Sequence, residues 1–283
     1  MRNLGLLVVV SLALTGGRFA HQGCGPEDFS GTYALLATGE VTVPGFPITG
    51  PFTRAGLVTA DGRGNVEFTT ASSYNGFIFY PSQFAGTYEV TPDCSITFSS
   101  VVPAPIDQLA NIVGEIANNK KEVRFIIIEP FGQTVRATLT RQSKRHCTQR
   151  DLMGAYALDL SGHFQQSTVN DLAIAPEGFT RGGKLFADGW GNFRASTLVN
   201  YNGFDFQEED FWGTYRVEKD CRVALRYWDA DKGATIWWRG ALAGNGSIVN
   251  LIDTEQCESV SEPEDPANWC NSGRIVSGQL VKK

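Results

Sequence analysis

Few residues of this chain have the type and spacing that acid–base catalysis needs. The 283-residue sequence contains three histidines, His21, His146 and His163, which are scattered along it. The acidic run Glu208-Glu209-Asp210 is typical of a solvated loop, and no G-x-S-x-G motif accompanies any of these groups. Because general acid–base catalysis requires a carboxylate or a histidine held in a cleft, the sequence assigns no catalytic residue.

Three segments carry the oxygen donors that a hard cation such as Ca²⁺ prefers. They are Asp61–Asn65, Asp188–Asn192 and the Asp229, Asp231 and Gly233 group. In the first two, Ala60 and Ala187 stand where a further oxygen ligand would be required. Aspartate and glycine between alternating strands are typical of a hairpin turn, so we expect turns at all three and neither a metal nor a cofactor.

Tryptophan supplies the most suggestive pattern. All six tryptophans lie in the second half of the chain: Trp190, Trp212, Trp228, Trp237, Trp238 and Trp269. Trp237 and Trp238 are neighbours on a predicted strand, so their side chains must point to opposite faces. Exposed aromatic rings often mark a surface for sugars or other ligands with an apolar face, whereas the alternative is bulkier core packing. We therefore name Trp190, Trp212, Trp237 and Trp238 as candidate ligand-binding residues.

The elements that position these residues occur twice. Arg54–Thr70 (RAGLVTADGRGNVEFTT) matches Arg181–Thr197 (RGGKLFADGWGNFRAST), and FAGTYEVTPDC matches FWGTYRVEKDC. The constant offset between the matched blocks indicates a duplicated domain. We assign the copies to residues 21–142 and 143–283, after a leader at residues 1–20. Trp190 replaces Arg63 in a turn, so its ring should protrude into solvent.

The cysteines follow the duplication. Six cysteines allow fifteen pairings, and a duplicated domain most simply repeats its own bridge. This predicts Cys24–Cys94 and Cys147–Cys221. Cys257 and Cys270 remain, and we expect them to close an acidic insert at residues 257–270 that the first copy lacks.

Each copy is predicted to contain about eight short strands. In Thr134–Arg141, for example, Val135, Ala137 and Leu139 alternate with polar residues, which is typical of a sheet with one wet face. Only the segment around Ile106–Ile116 also fits a helical spacing, and its counterpart IWWRGALA favours a strand in both copies. Hairpin-connected strands in this number favour closure, since a barrel has no exposed edge. The predicted fold is all-β, with two tandem antiparallel β-barrels.

The repeated G-T-Y, D-G-x-G-N and G-T-Y-x-V-x-x-D-C motifs resemble those of a group of secreted microbial domains, mostly uncharacterised. That group is related in fold to the calycin and allene-oxide-cyclase barrels. The resemblance covers both copies and implies a barrel, without implying an activity. In such a barrel, Tyr33, Tyr88, Tyr156 and Tyr215 would either present hydroxyls to a ligand or belong to the core.

The first residues indicate export. Arg2 precedes the apolar run Leu4–Leu14, which is too short to span a bilayer, so we expect a cleaved signal peptide and a secreted or periplasmic protein. No other integral membrane segment is expected. The formal net charge of −6 and the absence of a basic excess in either half argue against nucleic acid as a partner.

These observations predict an exported, non-catalytic binding or structural module, with a small apolar molecule or a carbohydrate as the partner. The alternative is a cyclase or isomerase that acts through an apolar barrel pocket, since such a reaction needs few ionisable groups. The barrel interior distinguishes the two hypotheses. An open lumen favours a ligand or substrate bound inside the barrel, whereas a filled lumen leaves the outer surface as the only candidate binding site.

Overall fold

The computed structural model describes residues 23–42, 49–102, 108–130, 132–143, 146–164, 177–201, 205–229, 233–254, 270–271 and 274–283. The predicted leader, residues 1–20, lies outside this part of the chain. So do Cys257 and most of the predicted insert.

The first copy forms a closed barrel of eight antiparallel strands. They are β1 (Ser30–Val41), β2 (Gly50–Asp61), β3 (Asn65–Tyr74), β4 (Phe77–Val90), β5 (Ser95–Val102), β6 (Gln108–Ala117), β7 (Glu122–Glu129) and β8 (Arg136–Arg141). Each strand pairs with its neighbours in the chain, and β8 pairs with β1 to close the ring. The ambiguous segment is a strand, β6, as predicted.

The second copy repeats this up-and-down barrel. Its strands are β9 (Gly154–Phe164), β10 (Glu177–Ala187), β11 (Asn192–Tyr201), β12 (Asp205–Val217), β13 (Arg222–Asp229), β14 (Ala234–Ala243), β15 (Ile248–Asp253) and β17 (Arg274–Lys282). Pairing of β17 with β9 closes it. The two-residue strand β16 (Cys270–Asn271) precedes β17 but pairs with Phe77 and Ile78 on β4 of the first barrel. The prediction of two tandem eight-stranded barrels is confirmed.

Alternation along the strands sends every second side chain into a barrel. The first interior contains Tyr33, Val58, Phe98 and Leu139, and the second contains Tyr156, Leu185, Leu225 and Trp238, among others. Each of these eight side chains is less than 2% exposed. Packed side chains therefore fill much of each barrel, as in other small barrels.

One end of each barrel, here called the bottom, is closed by a short 3₁₀ helix. The helix Pro26–Asp28 leads into Phe29 under the first barrel, and Gln149–Leu152 places Leu152 under the second. A third 3₁₀ helix, Gly244–Gly246, also lies at the bottom of the second barrel. The predicted disulfides Cys24–Cys94 and Cys147–Cys221 are both present and attach the two bottom segments to their barrels.

The two barrels pack against each other through small side chains. Ala34 and Leu57 of the first barrel meet Ala241 and Ala243 of the second, and a neighbouring cluster joins Ala55 and Ala71 to Ile252. Across the contact, the Gln142 side-chain amide donates a 2.9 Å hydrogen bond to the Leu242 carbonyl oxygen. The short connector between the copies thus joins domains that share a buried contact.

The barrel wall contains glycine at places where neighbouring strands approach closely. A Cβ atom added at Gly240 on β14 would lie 1.6 Å from the Asn250 carbonyl oxygen on β15, which is impossible without backbone movement. At Gly182 on β10 an added Cβ atom would meet nothing within 4 Å.

We predict that Gly240→Ala lowers the free energy of unfolding by about 3 kcal/mol, because the added methyl group overpacks the β14–β15 contact. Gly182→Ala is the matched control and should change it by less than about 1 kcal/mol. Urea denaturation of both variants measures the difference. A similar loss in both would contradict the assigned strand contact.

Candidate functional site

The tryptophans divide between the interior and the outer surface of the second barrel. Trp238 is 1% exposed and packs in the core with its ring centroid 5.2 Å from that of Tyr227. Trp237 points to the opposite face, as predicted for a strand neighbour. Trp190, Trp212 and Trp228 are 73%, 78% and 61% exposed. Trp269 lies outside the described residues.

Strand register brings tryptophans and arginines together on the outside of β10–β14. We call this surface the arginine–tryptophan face and define it by Phe186, Arg194, Trp212, Thr214, Arg216, Arg226, Trp228, Trp237 and Arg239. Phe186 pairs with Arg194, and Arg194 pairs with Trp212. One step towards the bottom, Thr214 pairs with Arg226 and Arg226 with Trp237. In each of these two rows an arginine is therefore the direct cross-strand neighbour of a tryptophan.

Trp237 is the centre of a stack of cations and rings. The guanidinium carbon of Arg226 lies 5.4 Å from the centroid of the Trp237 ring, and that of Arg239 lies 4.8 Å from it. Arg239 also lies 4.1 Å from the ring centroid of Tyr80, which belongs to the first barrel. Cation–π attraction of this kind orders the long arginine side chains, so the cost of fixing them on ligand binding is reduced.

The face contains two depressions. One, of about 550 Å³, is lined by Phe186, Arg194 and Trp212, among others. The other, of about 250 Å³, is lined by Arg226, Trp237 and Tyr80, among others. Their charged lining residues are the basic Lys184, Arg194, Arg216, Arg222, Arg226, Arg239 and Lys283 and the acidic Asp210 and Glu218.

The positive charge of this face is only partly neutralised. Arg222, which lines the smaller depression beside the face, forms ion pairs with Glu218 at 2.6 Å and with Asp220 at 2.8 Å. Arg194, Arg216 and Arg226 form no ion pair with another residue that the structure describes. In a chain of net charge −6, the face is thus a local positive surface that charge counts along the sequence did not reveal.

The first barrel lacks this combination. The offset of 127 places Glu67, Ala85, Glu89 and Ser99 at the positions of Arg194, Trp212, Arg216 and Arg226. Because Ser99 pairs with Asn111 as Arg226 pairs with Trp237, Asn111 is the counterpart of Trp237 and Val113 that of Arg239. The tryptophans of this face were predicted from the sequence, but the arginines were not. The sequence nevertheless contains a signal for the arginines, because the offset of 127 alone shows four of these differences between the two copies.

The acidic run Glu208-Glu209-Asp210 is not in a loop, contrary to the prediction, because it belongs to β12. Alternation leaves Glu208 and Asp210 exposed and turns the Glu209 carboxylate inward, where it forms an ion pair with Arg181. Arg181 is 4% exposed and also donates a 2.9 Å hydrogen bond to the Tyr227 hydroxyl. Glu209 thus balances a buried cation and is not a solvated charge.

His163 lies on β9 and faces a cleft of about 600 Å³ between the two barrels. Glu40 and Phe52 of the first barrel and Phe179 of the second also line this cleft. His163 is exposed and makes no hydrogen bond or ion pair with another described residue. The cleft therefore contains no positioned acid–base pair within the part of the chain that the structure describes.

The aspartates of the two repeated turns are occupied by the turns themselves. One oxygen of Asp188 accepts backbone hydrogen bonds from Trp190 and Asn192, and the other accepts from the Asn192 side chain. The Asn192 side chain is the main reason that the Asp188 pKa is lowered from its ordinary value. Asp61 makes the same contacts with Arg63 and Asn65. No group of three or more potential metal ligands occurs within the described residues.

The tyrosines of the repeated motif belong to the core. The hydroxyl of Tyr156 donates to the Gly246 carbonyl oxygen at 3.0 Å, and that of Tyr215 donates to the Gln149 carbonyl oxygen at 3.1 Å. Tyr88 reaches the Phe29 carbonyl oxygen at 2.8 Å. These hydroxyls hold the bottom segments in place, which favours the second of the two interpretations made from the sequence.

Comparison with known proteins adds no family assignment: no protein-family profile matches the chain, and no curated protein is significantly similar to it. Among the described residues, no helix is long and apolar enough to cross a membrane.

We predict that Trp190→Arg, which installs the residue of the first copy, changes the free energy of unfolding by less than about 0.5 kcal/mol. The reason is that the Trp190 ring is 73% exposed. It stacks with the guanidinium group of Arg150, whose carbon lies 4.9 Å from the ring centroid. Urea denaturation measures this change. A loss of several kcal/mol would place Trp190 in the core and remove it from the candidate binding residues.

Burial raises the pKa of Tyr156 to about 12 from the ordinary value of 10.0. The neutral phenol is thus favoured in the folded state, so its stabilisation is complete below pH 10 and is lost as the pH rises towards 12. Burial also raises the pKa values of Tyr33, Tyr74, Tyr88 and Tyr215, so we predict a late tyrosinate absorbance step in an alkaline titration that Tyr156→Phe reduces by the amplitude of one tyrosine. If all tyrosines ionise near pH 10 in the folded protein, the buried environment described for Tyr156 is incorrect.

Proposed function

We propose that the protein is an exported, non-catalytic binding module that holds an acidic polysaccharide on the arginine–tryptophan face of its second barrel. The observation that carries the proposal is that arginine pairs with tryptophan across β11–β12 and again across β13–β14, with Arg216 on the same face. The first barrel has Glu67, Ala85, Glu89, Ser99 and Asn111 at these positions.

The arginines account for the acidic part of the ligand. A guanidinium group matches a carboxylate or a sulfate with two parallel hydrogen bonds, and this geometry is stronger and more specific than a point charge. Arg194, Arg216 and Arg226 have no ion-pair partner among the described residues, so their donors are available to anionic groups spaced along a polymer.

The tryptophans account for the carbohydrate part. A sugar ring has a C–H face that packs on an indole ring, whereas its hydroxyls remain in water or reach polar neighbours. Trp212 and Trp228 expose more than half of their surface, and an exposed apolar group of this size gains nothing from folding. The two depressions on the face, of about 550 Å³ and 250 Å³, would accommodate successive sugar units.

The cellular setting is part of the proposal. Two disulfides favour a compartment outside the reducing cytosol, in keeping with the expected signal peptide at residues 1–20. The resemblance of the repeated motifs to secreted calycin-like domains points the same way. A cyclase or isomerase takes second place, because packed side chains such as Trp238 and Leu225 occupy the interior where an apolar substrate pocket would be needed.

The proposal is tested by binding of dextran sulfate and of polygalacturonate to the full chain, with uncharged dextran and duplex DNA as comparison ligands. We expect both acidic polymers to bind, with affinity that falls as salt is raised, and dextran to bind much more weakly. Which acidic polymer binds more tightly distinguishes sulfate from uronate recognition. Stronger binding of duplex DNA, or no binding of either polysaccharide, would overturn the proposal.

We predict that Arg226→Ala and Trp212→Ala each weaken this binding roughly tenfold, the equivalent of about 1.4 kcal/mol for one lost contact. Arg136→Ala is the control for charge, because Arg136 is exposed on β8 of the first barrel. An equal effect of Arg136→Ala would show that overall charge, and not the arginine–tryptophan face, governs the affinity.

A further inference from the structure

The two barrels bury equivalent arginines. Arg54 on β2 and Arg181 on β10 begin the repeated blocks, and they are 7% and 4% exposed. Both point inward among equivalent rings. The Arg54 guanidinium carbon lies 5.0 Å from the centroid of Phe84, and that of Arg181 lies 5.2 Å from the centroid of Phe211.

The two arginines differ in their counter-charge. Arg181 has the carboxylate of Glu209 as an ion-pair partner. In the first barrel the counterpart of Glu209 is Ser82, and that of Tyr227 is Ser100. Arg54 donates a 2.8 Å hydrogen bond to the Tyr74 hydroxyl. No described carboxylate forms an ion pair with Arg54.

A second polar group at the same level of the first barrel also lacks a partner. Ser72 lies directly opposite Arg54 in the β2–β3 register and is 0% exposed. Neither the Ser72 hydroxyl nor Nε of Arg54 has a hydrogen-bond partner among the residues that the structure describes. In the second barrel the counterpart of Ser72 is Val199, which needs none.

A buried guanidinium without an opposite charge is strongly unfavourable, because burial removes its hydration and no described carboxylate compensates the charge of Arg54. Arginine can only donate hydrogen bonds, and a serine hydroxyl can donate one as well. We infer that the first barrel binds a small monovalent anion, a chloride ion or the carboxylate of a short organic acid, between Arg54 and Ser72. This anion replaces the carboxylate that Glu209 supplies in the second barrel.

The inference concerns a different barrel from the proposed polysaccharide surface and does not depend on it. The test measures the urea midpoint of the full chain in sodium chloride, sodium acetate and sodium sulfate at matched ionic strength. A ligand that binds only the folded state raises the midpoint with the logarithm of its concentration. We expect this logarithmic rise with chloride or acetate, whichever fits the site, whereas sulfate should raise the midpoint only in linear proportion to its concentration, because it is excluded from protein surfaces.

Ser82→Glu is the decisive variant, because it gives the first barrel the carboxylate that the second barrel has. It should raise the midpoint in dilute buffer and abolish the dependence on chloride or acetate, and Arg54→Met should abolish the dependence as well. The control, Glu67→Gln, changes an exposed residue of the same barrel and should keep the wild-type response.

A direct readout does not depend on the stability of any variant. Broadening of the ³⁵Cl resonance, with acetate as a competitor, should be seen with the wild-type chain and be smaller in Ser82→Glu, which retains only the chloride exchange at the surface arginines of the second barrel. The absence of a logarithmic rise of the wild-type midpoint with both chloride and acetate, or an undiminished response of Ser82→Glu, would overturn the inference.

Discussion

The closed ring of antiparallel strands is the constraint on which the rest of this structure depends. Closure pairs the strand edges, and the pleat then assigns alternate side chains to the inside and the outside. Inward side chains must fit together in one interior, and the two copies have the same residue type at several equivalent inward positions. Tyr33 corresponds to Tyr156, and Arg54 corresponds to Arg181. Outward positions have no such requirement. The outer surface is therefore free to differ between the copies, with Trp212 in place of Ala85, although some inward positions differ as well, with Glu209 in place of Ser82.

Packing of the two barrels adds a second constraint on part of that outer surface. The outward residues Ala34, Ala55 and Ala71 are small because the second barrel covers them, whereas other outward positions remain open to solvent. The same contact brings Tyr80 of the first barrel against Arg239 of the second. One edge of the arginine–tryptophan face therefore depends on both copies, although most of its residues come from one.

Electrostatics distinguishes the inside of the protein from its surface. Inside the second barrel the cation Arg181 is balanced by Glu209, as low polarity requires. On the outer surface water and salt screen like charges, so several arginines tolerate one another without carboxylate partners. Stacking on Trp237 further orders Arg226, and stacking on Tyr80 orders Arg239. Such a surface attracts anions without destabilising the fold.

The sequence by itself determined the duplication, the all-β class, the eight strands in each copy and the two repeated disulfides. Each of these follows from local pattern: a constant offset, period-two alternation, turn residues and cysteine spacing. It also identified the exposure of Trp190 and the opposite directions of Trp237 and Trp238. Only the tertiary structure placed Arg194 beside Trp212, Arg226 beside Trp237 and Glu209 beside Arg181. These neighbours lie on different strands, and which side chains meet across strands depends on register and closure, which no local pattern contains.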